Sequence, residues 1–523
     1  MNDNLTRDTT NSIMSDSDIR LSAFNKSIHL EEIAKPKEDL RKKRIKHGIR
    51  NIVGLIFQKI EFAVLSSINY LAVYYIAYLS YSNKTIKMEN SITLSSILTF
   101  AQFSSIWVGG VLREYVHMKI IMILGGSLLI IGSIGIMFLN SLIGYKMMMV
   151  LYGIGIGVQE AITNANASAY IPEKRGLING IANISWTLSC SFFNYIGLNI
   201  VNPDKKDVVL YDDVNGISGN IIKYTIITII CFLGLSTTST ILVFSYKKKN
   251  YLPKLEPENI NEKMEENNNN NEENLDDNND KKKLDENNQK DEEKKVKVIE
   301  NNDNNNQVEE EDDEENISFF EYLKYVRLYT CFLMCSFKNI HNNLIISSFT
   351  VFSLHYKTVS VNVQQYITSS SFIANLVVTA ILALFIDRFK YRSIVIPSNI
   401  LVFFHALTFQ FFKKNQIVFI IYFFLSGIFV SIENLATFPH LLKVFGNKYI
   451  VIIFGIFSFG TGLCDLAMNA FVDHILSRYN ENQMDEYDSA VNGLFYMTSC
   501  FTFISVFLMG FESEYSVLHW KWK

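Results

Sequence analysis

The sequence predicts an all-α polytopic membrane protein, with twelve transmembrane helices in two pseudo-symmetric six-helix bundles. Three observations carry that expectation. The 523 residues are 49% hydrophobic and include 39 Phe and 26 Tyr, more apolar surface than a soluble chain hides easily. The apolar residues gather in runs of about 20 with few charges, the length a helix needs to cross a bilayer. These runs come as six, then a long polar interval, then six more. They are continuously apolar rather than alternating, which fits helices and not barrel strands.

Residues 1–50 read as an N-terminal tail. The first 30 are polar, so no cleavable signal peptide is expected and the first span is expected to act as the insertion signal. The first half, 51–245, holds spans at 51–79, 91–112, 119–139, 143–169, 176–201 and 222–245. Residues 246–320 form a linker. The second half, 321–512, holds spans at 329–355, 366–386, 393–412, 416–437, 449–475 and 490–511, and a short tail, 513–523, follows.

The linker explains the near-neutral net charge of −4. From Pro253 to Asn316 there are 24 acidic and 9 basic residues with 18 Asn, a local charge of −15, which leaves +11 on everything else. Such a tract buries too little apolar surface to offset the entropy of ordering and reads as a disordered tether. The basic residues fall on alternate loops. Eight lie between Lys35 and Arg50; Arg113 and Lys119, Lys174 and Arg175, Lys247 to Lys249, and Arg388, Lys390 and Arg392 follow. The positive-inside rule makes that side, both termini and the linker cytosolic. The plasma membrane is the default site, with an organelle membrane as the alternative.

Cys190, Cys231, Cys331, Cys335, Cys464 and Cys500 all sit in apolar runs. They read as buried thiols, with no disulfide framework and no metal set. No ATP-binding loop is present either, so no cofactor is expected. The expected partners are the lipid bilayer, a small-molecule solute and, for a coupled carrier, protons, with no nucleic acid.

Two motifs recur. Span two ends in Gly109-Gly110-Val111-Leu112-Arg113-Glu114, and the second half repeats the pattern more weakly as Asp387-Arg388-Phe389-Lys390-Tyr391-Arg392. Small residues let helices approach closely, and charges beside them can pair differently in different states. The candidate gating residues are therefore Gly110, Arg113, Asp387, Arg388 and Arg392. Span four carries Gly153-x-Gly155-x-Gly157, then Tyr170-Ile171-Pro172-Glu173-Lys174-Arg175-Gly176, with Gly180 in span five. The glycines lie inside an apolar helix with no preceding strand, so they are not a nucleotide loop. They would thin the helix for packing or for sliding.

Two six-span halves with these motifs resemble the major facilitator superfamily. The turn Pro172, Arg175, Gly176 and Gly180 after the glycine-rich span is similar to the monocarboxylate-carrier and oxalate/formate-antiporter branch. The resemblance covers roughly residues 50–210 well and the second half in layout only. It implies a major facilitator fold and a secondary transporter that works by alternating access around a midplane site. The chain departs from the branch in span eight, which lacks an intramembrane arginine, and in span eleven, which carries Asp465 in place of a lysine.

Charges deep in a bilayer cost at least a few kcal/mol each and are expected to face a cavity. These candidates for substrate or proton binding are Lys59, Glu61, Glu160, Lys338, His341, Glu433 and Asp465. Lys338 and His341 stand one helical turn apart, on one face, and Glu160 and Glu433 hold corresponding places in the two halves. One reading has Glu160, Glu433 or Glu61 carry a proton. Another has Lys59 or Lys338 bind a carboxylate while the acids hold an ammonium or guanidinium. A third has the charges neutralise one another as static or gating ion pairs. Four acids against two lysines favour protons, zwitterions or cations over a bare anion.

The sequence therefore points to a secondary transporter of a small polar organic solute, monocarboxylate-like by resemblance and with proton coupling as one option. The alternative is a cationic or neutral amino-acid transporter of the same superfamily. A non-transporting receptor or scaffold, or a membrane enzyme, is the competing class. No intramembrane nucleophile or metal cluster supports the enzyme, so no catalytic residue is expected.

Overall fold

The computed structural model describes residues 16–82, 86–87, 90–204, 216–246, 319–345, 361–386, 388–412, 415–446, 448–478 and 484–511. The acidic tract, the C-terminal tail, Asp387 and the far end of the expected seventh span lie outside the described residues. Of the described residues, 16–47 fall in one compact unit, and 48–246 with 319–511 in another. The second unit contains both expected halves.

The first half contains α1 (Asp16–Ser82), α2 (Asn90–Tyr115), α3 (Met118–Phe138), α4 (Leu142–Tyr170), α5 (Arg175–Val201) and α6 (Ile217–Leu242). The second contains α7 (Val326–Lys338), α8 (Val361–Phe385), α9 (Tyr391–Phe412), α10 (Gln416–Phe445), α11 (Ile450–Arg478) and α12 (Met484–Phe511). Each overlaps one of the expected spans, α7 only its first part, and no strand occurs among the described residues. Helix α1 is 67 residues long, so helical backbone begins well inside the expected tail. Nine helices among the described residues are long and apolar enough to cross a bilayer. Helix α5 is not one of them, and its polar Asn179, Asn183, Ser185 and Asn194 account for the lower hydropathy.

The packing repeats itself between the halves. Helix α2 packs on α4, α3 on α4 and α6; likewise α8 packs on α10, α9 on α10 and α12. The halves meet where α2 runs along α11 and where α5 runs along α8. Adding six to each helix number turns one interface into the other, as a pseudo-twofold axis requires.

Glycine makes the close approaches. A Cβ on Gly153 would strike the Leu98 carbonyl and Ala101 of α2, and one on Gly157 would strike the Gln102 carbonyl. Gly155 meets the Gly125 backbone of α3. The three alternate glycines therefore serve two neighbours at once.

Polar side chains along α1 and α4 satisfy each other, as they must where water is excluded. Asn166 Nδ2 donates to Asn51 Oδ1 at 3.0 Å, and Gln58 Nε2 donates to Gln159 Oε1 at 3.2 Å. Thr163 adds a donation to Gln58. Asn51 also accepts from the Phe244 backbone N–H at 2.9 Å, and Asn166 donates to the Phe244 carbonyl at 2.8 Å, which anchors the chain leaving α6. Helices α3, α6, α9 and α12 lie at the outside. They expose Ile123, Ile230, Phe404 and Phe507, as a lipid-facing surface does.

Candidate functional site

Between the halves lies a cavity of about 320 Å³. Its walls come from α1, α2, α4 and α5 on one side, and from α8, α10, α11 and the segment just after α7 on the other. Among the described residues, the four outer helices contribute nothing to it. The arrangement follows from the twofold packing, because the same four positions of each bundle turn inward.

Three charged residues line the cavity: Lys59, Glu160 and Asp465. Lys59 Nζ and the Glu160 carboxylate form a salt bridge at 3.0 Å, and the second carboxylate oxygen accepts from Gln102 Nε2 at 2.9 Å. Lys59 is largely enclosed, whereas about a quarter of the Glu160 side chain (23%) stays exposed toward the cavity. Asp465 projects from α11 with only 4% of its surface exposed.

Four other candidates lie off this cavity. Glu61 is two residues from Lys59, hence on the opposite side of α1. It is fully buried beside Gly126 of α3 and Ser236 of α6. Lys338 is buried and donates to Thr437 of α10, close enough to Glu433 for their charges to interact. Glu433 itself is fully buried, and its carboxylate oxygens accept no hydrogen bond among the described residues. His341 joins a chain inside the second bundle. Its Nδ1 meets Thr498 Oγ1 at 3.1 Å, its Nε2 meets His405 Nδ1 at 2.9 Å, and His405 Nε2 donates to the Tyr422 carbonyl at 2.9 Å.

Lys338 and His341 do not share a face. The α-helix α7 ends at Lys338, Asn339 sits in a turn, and helical backbone resumes at residues 340–345. The break sends one side chain toward α10 and the other toward α9 and α12. The Lys59–Glu160 and Lys338–Glu433 pairs nevertheless occupy equivalent helices, α1 with α4 and α7 with α10. The second half repeats the first half's charges but buries them.

The gating residues separate as well. Gly110 abuts Ile452 and the Val451 backbone of α11, so it lies at the contact between the halves. Arg113 is partly buried at the end of α2, and Arg388 is exposed. Arg392 donates to the Gly510 carbonyl at 3.1 Å, a tie within the second bundle. Pro172 opens a single 3-10 turn, Pro172–Lys174, leading directly into Arg175 at the start of α5. Gly176 is buried one residue on. Gly180 rests on Ala383 of α8, where a larger side chain would collide.

Sequence reasoning missed the amides. Asn164 on α4, Asn179 and Asn183 on α5, Asn339 and Asn343 after α7, and Asn434 on α10 join Asn375, the strong polar group of α8, in the lining. Asn164 Nδ2 donates to Asn179 Oδ1 at 2.8 Å, and Asn179 Nδ2 donates across the halves to the Leu435 carbonyl at 2.9 Å. Trp186 Nε1 donates to Ser66 Oγ at 3.2 Å, and its ring stands edge-on to Phe372 of the other half. A signal was present: Glu160/Asn164, Asn179/Asn183, Asn339/Asn343 and Ser371/Asn375 are each four residues apart, a polar stripe on an otherwise apolar helix.

Residues 26–194 match the sequence model of the Major Facilitator Superfamily. The structure is similar to the human organic anion transporter MFSD10 (TETRAN), with a TM-score of 0.56 at 9% identity, covering 89% of this chain and 99% of that one. It is also similar to the proton:xylose symporter XylE bound to 6-bromo-6-deoxy-D-glucose, with a TM-score of 0.54 at 12% identity, covering 89% and 95%. This chain has the major facilitator fold. No curated protein matches it in sequence. The major facilitator fold accounts for the symmetric contacts, the eight-sided cavity and the lipid-facing outer helices together. Among the described residues no group of His, Cys, Asp or Glu is placed to hold a metal ion.

Proposed function

We propose that the chain is a secondary transporter that moves a small polar organic solute across a membrane by alternating access. The observation that carries this reading is the cavity itself. It lies between two symmetric bundles and draws its walls from both, with carboxamide, hydroxyl and charged groups at a depth where a lipid-facing helix would hold none. Rocking one bundle against the other along α2–α11 and α5–α8 would open it to each side in turn. Nothing in this motion makes or breaks covalent bonds.

The branch resemblance implies a monocarboxylate, and a bare carboxylate needs an available cation. Among the described residues Lys59 is the cavity's one lysine, and it is held by Glu160. We therefore read the solute as zwitterionic or cationic, in keeping with amino-acid transport. Glu160 is the acid we assign to proton coupling, because it is the pair's exposed member and protonating it would free Lys59. Lys338, His341, Glu433 and Glu61 then support the bundles.

The test is radiolabelled uptake into proteoliposomes, comparing lactate, pyruvate, arginine and a neutral amino acid at two pH values. Saturable uptake of an amino acid supports the reading. Acid-stimulated uptake of lactate alone would restore the monocarboxylate, and no uptake of any polar solute across a broader panel would refute transport.

A further inference from the structure

We propose that Asp465 and Asn339 form a subsite for the ammonium group of the solute, an inference that rests on reading the cavity as the solute's path. Helices α7 and α11 occupy first and fifth positions in the same bundle and therefore run parallel. Their register is fixed where Thr461 Oγ1 donates to the Cys335 carbonyl at 3.0 Å. Four residues further along each chain, one helical turn, come Asp465 and Asn339, and both line the cavity.

The chemistry of this corner is one-sided. Among the described residues Asp465 forms no ion pair, and its polar neighbour is the neutral amide of Asn469, a turn away. The Asn339 side-chain oxygen is buried and accepts no hydrogen bond among those residues. Asn339 also stands at the break after α7, and interrupted helices recur where secondary transporters hold polar ligands. A carboxylate whose neighbouring donor is neutral, and an amide oxygen that accepts nothing, leave this corner of the lining with acceptor capacity to spare. An ammonium offers three donors and no acceptor. It would also cancel the lining's formal excess of one negative charge, since Lys59 and Glu160 offset each other. A carboxylate placed here would meet like charge.

The test uses the purified full-length chain and three probes of equal size: butylammonium, 1-butanol and butyrate. Butylammonium is expected to raise the melting temperature in a saturable way, and the other two are not. Asp465→Asn is expected to weaken that apparent affinity about tenfold or more, while Asp465→Glu retains most of it. Should Asp465→Asn fail to fold, Asn339→Leu is the second variant and is expected to weaken the same shift. An unchanged butylammonium response in Asp465→Asn, or in Asn339→Leu, overturns the subsite. Equal stabilisation by butyrate, or none by butylammonium, overturns it too. If binding depends on Asp465 but proteoliposomes take up no solute, the subsite stands and the transport reading falls. If uptake is saturable yet indifferent to Asp465→Asn, transport stands and the subsite falls.

Discussion

Lys59 on α1 and Glu160 on α4 face each other across 3.0 Å on the cavity wall, with Gln102 of α2 holding the second carboxylate oxygen. Glu160→Gln keeps the shape but leaves Lys59 with a neutral acceptor. A hydrogen bond to a charged group contributes about 1.5–3 kcal/mol, so the melting temperature should fall while membrane insertion persists. Uptake should fall at least tenfold. Normal uptake by this variant would remove Glu160 from the coupling role.

The glycines of α4 and α6 should respond in opposite ways to the same change. In Gly157→Ala the new methyl meets the Gln102 carbonyl and Ser105, and overpacking of this kind costs about 1–3 kcal/mol. Gly234 has open space around it, and Gly234→Ala should be neutral or stabilising by up to about 1 kcal/mol. Thermal melts of the two variants in the same detergent check the pair.

His341 should prove a support rather than a solute contact. In His341→Leu the side chains of Thr498 and His405 lose a partner inside the second bundle. The cost should be about 1–3 kcal/mol in a melting experiment. The order of preference among transported solutes should stay as in the wild type; a changed order would place His341 in the solute path.

Asn179 bridges the halves through its donations to the Leu435 carbonyl at 2.9 Å and the Asn434 carbonyl at 3.3 Å. Asn179→Leu removes both, and about 1 kcal/mol per lost bond, about 2 kcal/mol together, should favour separation at that end roughly thirtyfold. A thiol introduced by Ala383→Cys, which replaces the residue packed on Gly180, should then be labelled correspondingly faster in a background without native cysteines. An unchanged rate would mean that the amide does not restrain the halves.

Much of this architecture is legible in the residues. Apolar runs set the helices, because a bilayer forces length and continuity on any spanning segment. The Gly153-x-Gly-x-Gly157 pattern carried its own explanation, since alternate glycines can only serve close neighbours. Position along each helix was legible too, but the direction of each side chain was not. Lys59 and Glu61 are near neighbours in the chain with opposite fates, because two residues on a helix are more than half a turn apart. Lys338 and His341 parted at a backbone break that no proline or glycine announces. The asparagines escaped notice for a different reason: an uncharged amide costs little enough in a bundle that its presence alone implies no cavity, and only the four-residue stripe reveals the shared face.

The central claim is that the polar space between the bundles is the route a solute takes, and Ser371 on its wall offers the most direct test. Ser371→Cys, in a background lacking the native cysteines, should transport in proteoliposomes, and a small hydrophilic thiol reagent should then reduce its uptake to background. Excess solute should protect against that loss. Complete labelling of the introduced thiol with uptake undiminished would contradict the account.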